Sequence, residues 1–331
     1  MDSENDLTIS VAKNSPIHEL NWEMFVPYVV SLIRTGFKGT KLMFVSGVSD
    51  NIRQNLESAG FMVIDFSTGS GTFGFERIKP ILKFLNEHAQ DFRNVIWTDW
   101  PDVVFQSDPS VWLEKNLKGH RLVGSTDSVT IENGGGTDTW IKWISLEVYE
   151  QLKEYDACCC GTIIGEAQAL RDLLQKMYEM LSADLGLIDQ GVLNFLLRTT
   201  FKEITLFPKL EDGCVGGLVQ FLGGRTTIWT NPHPVLKDGI VYPAGKSEPF
   251  VLLHQHNRNL EWWNAISRRY TECVPDIVQF PADDRRRAPT PQVTPSSQVQ
   301  IIPPLQAMEA IPTLPSLPPS PRPLRAPRRL R

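Results

Sequence analysis

Apolar and polar positions alternate along the first 280 residues with two periods. Trp22, Phe25, Val26, Val29, Leu32 and Ile33 recur at helical spacing. Lys41 to Ser46 is a short, nearly continuous apolar run that reads as a buried strand. Ser49 and Asp50 cap a helix carrying Ile52, Leu56 and Ala59 inward, and Phe61 to Asp65 is the next strand. A Gly/Ser-rich loop, Ser67 to Gly74, leads to a helix with Ile78, Ile81, Leu82 and Leu85 on one face. Pro80 fits that helix only in its first turn.

Strands follow at Asn94 to Thr98, Arg121 to Ser125 and Cys158 to Ile164. Leu170, Leu173, Leu174, Met177 and Leu181 then mark a core-facing helix, and Phe250 to Leu253 a late apolar strand ending at His254. Alternation of this kind predicts an α/β sandwich with a mostly parallel sheet. Ligands of such sheets gather beyond the carboxyl ends of the strands.

Composition changes the picture at one end. From Pro281 to Arg331 the chain holds 13 of its 24 prolines and eight Arg against three acids. The segment is expected to be a disordered tail beyond a domain of residues 7–275. Pro312-x-x-Pro315 and Pro318-x-x-Pro321 make an SH3-type ligand or an Arg-rich contact with anionic lipid the candidate partners of the tail. The net charge of −5 argues against nucleic-acid binding. The acidic start lacks the layout of a signal peptide. Five cysteines, three of them consecutive (Cys158, Cys159, Cys160), make a poor disulfide framework or metal cage and suggest a reducing, cytoplasmic setting.

The chemistry concentrates in Asp99-Trp100-Pro101-Asp102. Two carboxylates this close raise each other's pKa unless a cation neutralises them. A hard divalent ion does so and keeps open positions for phosphate oxygens. The bland alternative is a solvated acidic turn, but the pair interrupts an apolar block, Val95-Ile96-Trp97 before it and Val103-Val104-Phe105 after, with Asp108-Pro109 closing the segment as a turn.

Thr98 to Pro109 resembles the Asp-x-Asp region of GT-A glycosyltransferases, closest to a branch written Asp-x-Arg-Asp-Val-Val-Phe-Gln-x-x-Pro. Pro27 to Gly36 is similar to the family's first helix, Cys160-Gly161-Thr-Ile-Ile-Gly165 to its small-residue strand, Asp189-Gln190-Gly-Val-Leu-Asn194 to its Asp-Gln-x-x-x-Asn motif, and His254-Gln-His-Asn-Arg258 to its His-Gln-Tyr-Asp-Arg motif. Trp100-Pro101 stands where the branch has small residues or Arg, and His256-Asn257 replaces Tyr-Asp.

The resemblance implies a GT-A-like (Rossmann-like) α/β/α sandwich and metal-dependent, retaining transfer of a hexose from a nucleoside diphosphate sugar donor to a glycan or other hydroxyl acceptor. It implies Mn²⁺ or Mg²⁺ held by Asp99, Asp102 and His254. It implies donor contacts from Arg77, Gly161 and His256, and catalytic or acceptor-side roles for Asp189 and Gln190. Asp189 also reads as a helix N-cap, Gly161 as a packing glycine, and His256 shares a face with His254 if the strand continues. Asn133 to Thr137 with Trp140 and Trp143 reads either as an acceptor-side flap or as core. A non-catalytic carbohydrate-binding or scaffold protein on this fold, or a sugar nucleotidyltransferase, are the rival classes. Val11 to Ser15 does not supply the Gly-rich basic loop that the last requires.

Overall fold

A computed structural model describes residues 3–14, 20–67, 73–134, 136–183, 188–217, 219–222, 226–229, 233–258 and 260–272. The proline- and arginine-rich tail and most of the Gly/Ser loop before Phe73 lie outside the described residues.

The first strand, β1 (Leu7–Lys13), forms where no strand was expected. Leu7, Ile9 and Val11 enter one core, while Thr8 and Ser10 face the other side, also buried. Those polar residues break the apolar run, so the segment does not read as the sheet centre it is. They are tolerated because they find partners: Ser10 Oγ donates to the Thr98 carbonyl at 2.9 Å, beneath a 3.0 Å hydroxyl contact between Tyr28 and Thr98.

Strand β1 lies between β2 (Thr40–Ser46) and β4 (Asn94–Thr98), parallel to both, and β3 (Phe61–Asp65) pairs parallel with β2. Strand β7 (Asp156–Glu166) joins β4 and β6 (Leu122–Thr130) by antiparallel ladders, and β8 (Thr205–Leu206) adds in parallel to β6. The seven-stranded order is β3-β2-β1-β4-β7-β6-β8, a mostly parallel sheet. A second, three-stranded sheet is built from β5 (Val103–Phe105), β9 (Val215–Gly217) and β14 (Leu252–His254). Two hairpins, β10 (Val219–Leu222) with β11 (Thr226–Trp229) and β12 (Val235–Lys237) with β13 (Ile240–Tyr242), lie between β9 and β14 in the chain.

One face of the main sheet is covered by α3 (Phe73–His88), α7 (Ala167–Ala183) and α8 (Asp189–Arg198), through Ile78, Ile81, Leu85, Leu170, Leu174 and Val192. The other face takes α1 (Trp22–Arg34) and α2 (Asp50–Ser58), through Phe25, Tyr28, Val29, Leu32, Ile52 and Leu56. The expected sandwich is therefore present. Ser49 caps α2 as expected, its Oγ accepting the Ile52 N–H at 3.4 Å. Helix α4 (Pro109–Asn116) begins where a simple turn was expected; Asp108 is its N-cap and Pro109 its first residue, a pairing that opens helices. Helices α5 (Thr137–Ile144) and α6 (Leu146–Leu152) form a satellite cluster around Ile141, Val148 and Leu152. Helix α9 (Leu260–Thr271) packs Trp262 and Ile266 against Val26 and Val30 of α1.

Pro80 departs from expectation. Helix α3 starts at Phe73, so the proline lies in its interior and removes a backbone donor there. A helix-interior proline costs about 3 kcal/mol. The buried row Ile78, Ile81, Leu82 and Leu85 offsets it, since a fully buried aliphatic side chain is worth roughly 1.5–3 kcal/mol.

Helix α8 is pinned to β7 by Asn194, which is fully buried. Its Oδ1 accepts the Cys158 N–H at 2.7 Å, and its Nδ2 donates to the Cys158 carbonyl at 2.7 Å and to the Gln190 carbonyl at 2.8 Å. Asn194→Ala leaves both backbone groups of Cys158 buried and unmet. We expect a loss of about 2–4 kcal/mol in urea unfolding, at roughly 1–3 kcal/mol for each unsatisfied group.

Candidate active site

The main sheet and the second sheet meet at one turn. Strand β4 ends at Thr98, the chain passes through Asp99 to Asp102, and β5 begins at Val103 in the other sheet. The Trp100–Pro101 peptide in this turn is cis. Trp100 packs its ring on Phe25 with centroids 4.2 Å apart, so the residue that departs from the family pattern anchors the turn to α1. The Asp99 N–H donates to the Gly161 carbonyl at 2.7 Å, carrying the β4–β7 ladder one residue past the strand.

Strand β7 is irregular at that place. Its ladder with β6 jumps from Ile163 opposite Gly124 to Cys158 opposite Thr126, so the residues between bulge out of register. The three cysteines nonetheless alternate across the strand, as successive residues do. Cys158 enters the core under α8; Cys160 packs beside it, half-buried; Cys159 turns the opposite way, towards β14. Cys158, Cys159, Cys160 and Cys214 are all free thiols.

His254 reaches the turn from β14. The β14–β5 ladder sets His254 opposite Val103, and the next backbone bond, Gln255 N–H to the Asp102 carbonyl at 2.9 Å, places Asp102 beside it. His254 Nε2 lies 3.7 Å from Asp102 Oδ1 and 3.8 Å from Asp99 Oδ2. One ligand atom from each of Asp99, Asp102 and His254 falls within 4.8 Å of the other two. Around a cation at about 2.1 Å, ligand atoms sit roughly 3.0 Å apart when adjacent and 4.2 Å when opposite, so the three need only a small contraction to share a divalent ion. Two carboxylate oxygens with an imidazole nitrogen suit Mn²⁺ better than Mg²⁺.

Arg77, in the first turns of α3 and 5% exposed, forms an ion pair with Asp99 through Nη1. Its Nη2 is 2.6 Å from Asp189 Oδ2 and 3.0 Å from Cys160 Sγ, and its guanidinium lies 5.2 Å from the Trp97 ring centroid. Arg77 thus couples two carboxylates. Burial lifts the Asp99 carboxyl above its usual range, and Asp102 and Asp189 add to that lift, against the lowering pull of Arg77 and His254.

Asp189 and Gln190 open α8 as expected, but Ile188 holds the N-cap position and Asp189 is the first helical residue. Asp189 Oδ1 accepts the Gln190 N–H at 2.9 Å while Oδ2 takes Arg77. Gln190 Nε2 donates to Thr137 Oγ1 at 2.9 Å, and the Cys160 thiol faces its Oε1 at 3.7 Å. Trp140 is half-buried against Gly191 of α8, whereas Trp143 is 56% exposed. Of the two aromatic residues, only Trp143 lies on an open surface.

Gly161 fits the packing reading. A Cβ at this position would overlap the imidazole of His254 and stand 2.9 Å from Asp99 Oδ2. The glycine makes room for His254 beside the acidic turn. His256 also lies elsewhere than on a continued strand. The strand ends at His254, Gln255 takes a positive φ of 61°, and His256 starts a short 3-10 turn. Its Nδ1 donates to the Asp102 carbonyl at 3.1 Å and its ring stacks on Trp263. His256 therefore clamps the main chain of Asp102, which the motif alone did not reveal.

Burial drives the His256 pKa down to about 4. A histidine depressed in the folded state contributes stability that is present above its unfolded pKa of about 6.5 and lost as pH falls towards 4. We expect about 3 kcal/mol of stability to disappear between pH 7 and 4, because a pKa difference of one between the folded and unfolded chain is worth roughly 1.4 kcal/mol. His256→Phe should flatten that part of a stability–pH curve measured by urea unfolding.

No protein-family model and no curated protein sequence matches the chain. Solved structures do. A complex of the galactosyltransferase LgtC with donor and acceptor sugar analogs aligns over 84% of this chain and 98% of its own, with a TM-score of 0.51 at 14% identity. An active-site mutant of LgtC, glutamine replaced by glutamate, aligns over the same shares with the same score and identity. The chain has the GT-A fold, as its motifs imply. Among the described residues no helix is long and apolar enough to cross a membrane.

Proposed function

We propose that the chain is a metal-dependent glycosyltransferase that moves a hexosyl group from a nucleoside diphosphate sugar to a hydroxyl of a glycan or related acceptor, with retention of configuration. The observation that carries this reading is the convergence of Asp99, Asp102 and His254 where the two sheets of a GT-A fold meet. The three would hold Mn²⁺ or Mg²⁺. A cation bound there supplies charge neutralisation for the departing diphosphate.

The remaining roles fall to the chain itself. Arg77 pairs with Asp99 and orients it for the ligand set, beside the donor-phosphate contact that its motif implies. His256 fixes Asp102 through the backbone, and Gly161 leaves His254 its place. Gln190, oriented by Thr137, faces the sugar side of the site, next to Asp189. Retention is what the likeness of the Asp189-Gln190 and Cys160-Gly161 elements to retaining enzymes implies.

The test is a thermal-shift screen of nucleoside diphosphate hexoses with and without Mn²⁺, followed by donor hydrolysis. The matching donor should stabilise the protein only with Mn²⁺, by about 2.7 kcal/mol at a hundredfold excess over its Kd, and EDTA should remove both the shift and the slow hydrolysis. Asp102→Ala should show neither. No Mn²⁺-dependent shift with any nucleotide sugar would sink the proposal.

A further inference from the structure

The ligand set poses a question about its histidine. An imidazole that coordinates through Nε2 carries its proton on Nδ1, and that N–H needs an acceptor. In most metal sites the acceptor is a carboxylate, a backbone carbonyl or water. Among the described residues His254 has no such group at Nδ1: what faces it, at 3.4 Å, is the sulfur of Cys159. Both side chains are buried. The same sulfur receives the Gly161 N–H at 3.5 Å, so two donors converge on it. Cys159 points this way while Cys158 and Cys160 on either side point to the opposite face, as successive strand residues do.

We propose that Cys159 is the positioning residue for His254: its sulfur accepts the Nδ1–H and holds the ring in the tautomer whose Nε2 lone pair faces Asp99 and Asp102. The proposal rests on the metal reading of those three residues. The sulfur accepts weakly through its lone pairs. Its reach fits the gap: a sulfur contact at 3.4 Å spans what an oxygen acceptor would have to approach more closely.

Serine and alanine are close in size at this position and differ chiefly by a hydroxyl acceptor. The experiment is Mn²⁺ binding to the full chain, read from the EPR signal of free Mn²⁺, for wild type, Cys159→Ala, Cys159→Ser and Asp102→Ala. Loss of an outer hydrogen-bond partner typically weakens metal affinity about 10–100-fold. Cys159→Ala should fall in that range with a thermal midpoint near wild type, and Cys159→Ser, whose hydroxyl reaches less far than the thiol, should recover part of the affinity. A second measurement needs no change at position 159. In the Mg²⁺-loaded protein, long-range ¹H–¹⁵N spectra should show His254 protonated at Nδ1, with the signals assigned by their loss in His254→Gln. Wild-type Mn²⁺ affinity in Cys159→Ala, equal weakening by Ala and Ser, or a proton on Nε2 in the Mg²⁺ form would each overturn the role of Cys159. Absence of Mn²⁺ binding in wild type, or undiminished binding in Asp102→Ala, would instead overturn the metal site on which the role depends.

Discussion

Gly161→Ala is expected to abolish metal binding and reduce turnover at least about 10³-fold, a loss of about 4 kcal/mol or more in transition-state stabilisation. A single methyl group does this because its place is already taken. The new Cβ would overlap the His254 ring and stand 2.9 Å from Asp99 Oδ2. His254 cannot back away: Cys159 lies behind it, and its backbone is laddered to Val103 on one side and Gly217 on the other. Gly161 itself is tied to the turn by the bond from Asp99. Strain therefore falls on the ligand atoms rather than on the fold. The measurement is Mn²⁺ affinity beside a urea curve. Wild-type Mn²⁺ affinity in Gly161→Ala would show that the histidine and the acidic turn do not meet over this glycine. Overpacking of this kind costs roughly 1–3 kcal/mol of stability, so a folded, metal-blind protein is the expected product.

Much of this arrangement is legible in the sequence, for identifiable reasons. Helix α7 is read correctly because burial on one face imposes a period, and β4 because its buried run Val95-Ile96-Trp97 is continuously apolar. The meeting of Asp99, Asp102 and His254 is legible in part because polar residues at the end of an apolar run lie at the mouth of the sheet. Strand β1 escapes notice because it is buried on both faces and carries Thr8 and Ser10 against a buried tyrosine. Pro80 misleads because local propensity places it in a first turn, whereas the packing of Ile78, Ile81 and Leu85 extends the helix past it.

The supporting contacts are the least legible part. That Cys159 meets His254, that His256 holds a carbonyl, and that Arg77 spans Asp99 and Asp189 all depend on residues 22 to 154 positions apart in the chain. No spacing rule reaches so far. Two of these residues, Arg77 and His256, are expected by motif to contact the donor, and the structure shows them against Asp99, Asp189 and the Asp102 carbonyl. A motif preserves residue identity, and it leaves open whether the side chain touches the ligand or the residue that does.

Arg77→Met should have the other large effect, and it should act on stability and activity together. Methionine keeps the apolar stem of arginine but ends short of the guanidinium and brings no charge. Asp99 and Asp189, with side chains 27% and 11% exposed, would then face each other across a partly desolvated site with no cation between them. Removing one partner of a buried pair costs about 3–5 kcal/mol because the other charge is left uncompensated. Partial exposure of Asp99 places the expected loss in the lower half of that range, read from urea unfolding at neutral pH. Without Arg77 the carboxyls relieve their repulsion by taking up protons, since burial and the neighbouring acids already push the Asp99 pKa upward. A group raised in the folded state is most costly where it must ionise, so the deficit of Arg77→Met should be greatest at pH 7 and shrink as the pH falls below the carboxylate range. Turnover should fall about 10²-fold or more, since a metal ligand loses its orientation and Asp189 its anchor. Arg77→Lys should recover only a part: an ammonium is a point charge, and only the guanidinium fork spans two carboxylates while also bonding a thiol. Equal stability of Arg77→Met and wild type at pH 7, or full activity of Arg77→Lys, would show that the two carboxylates do not depend on the fork that joins them.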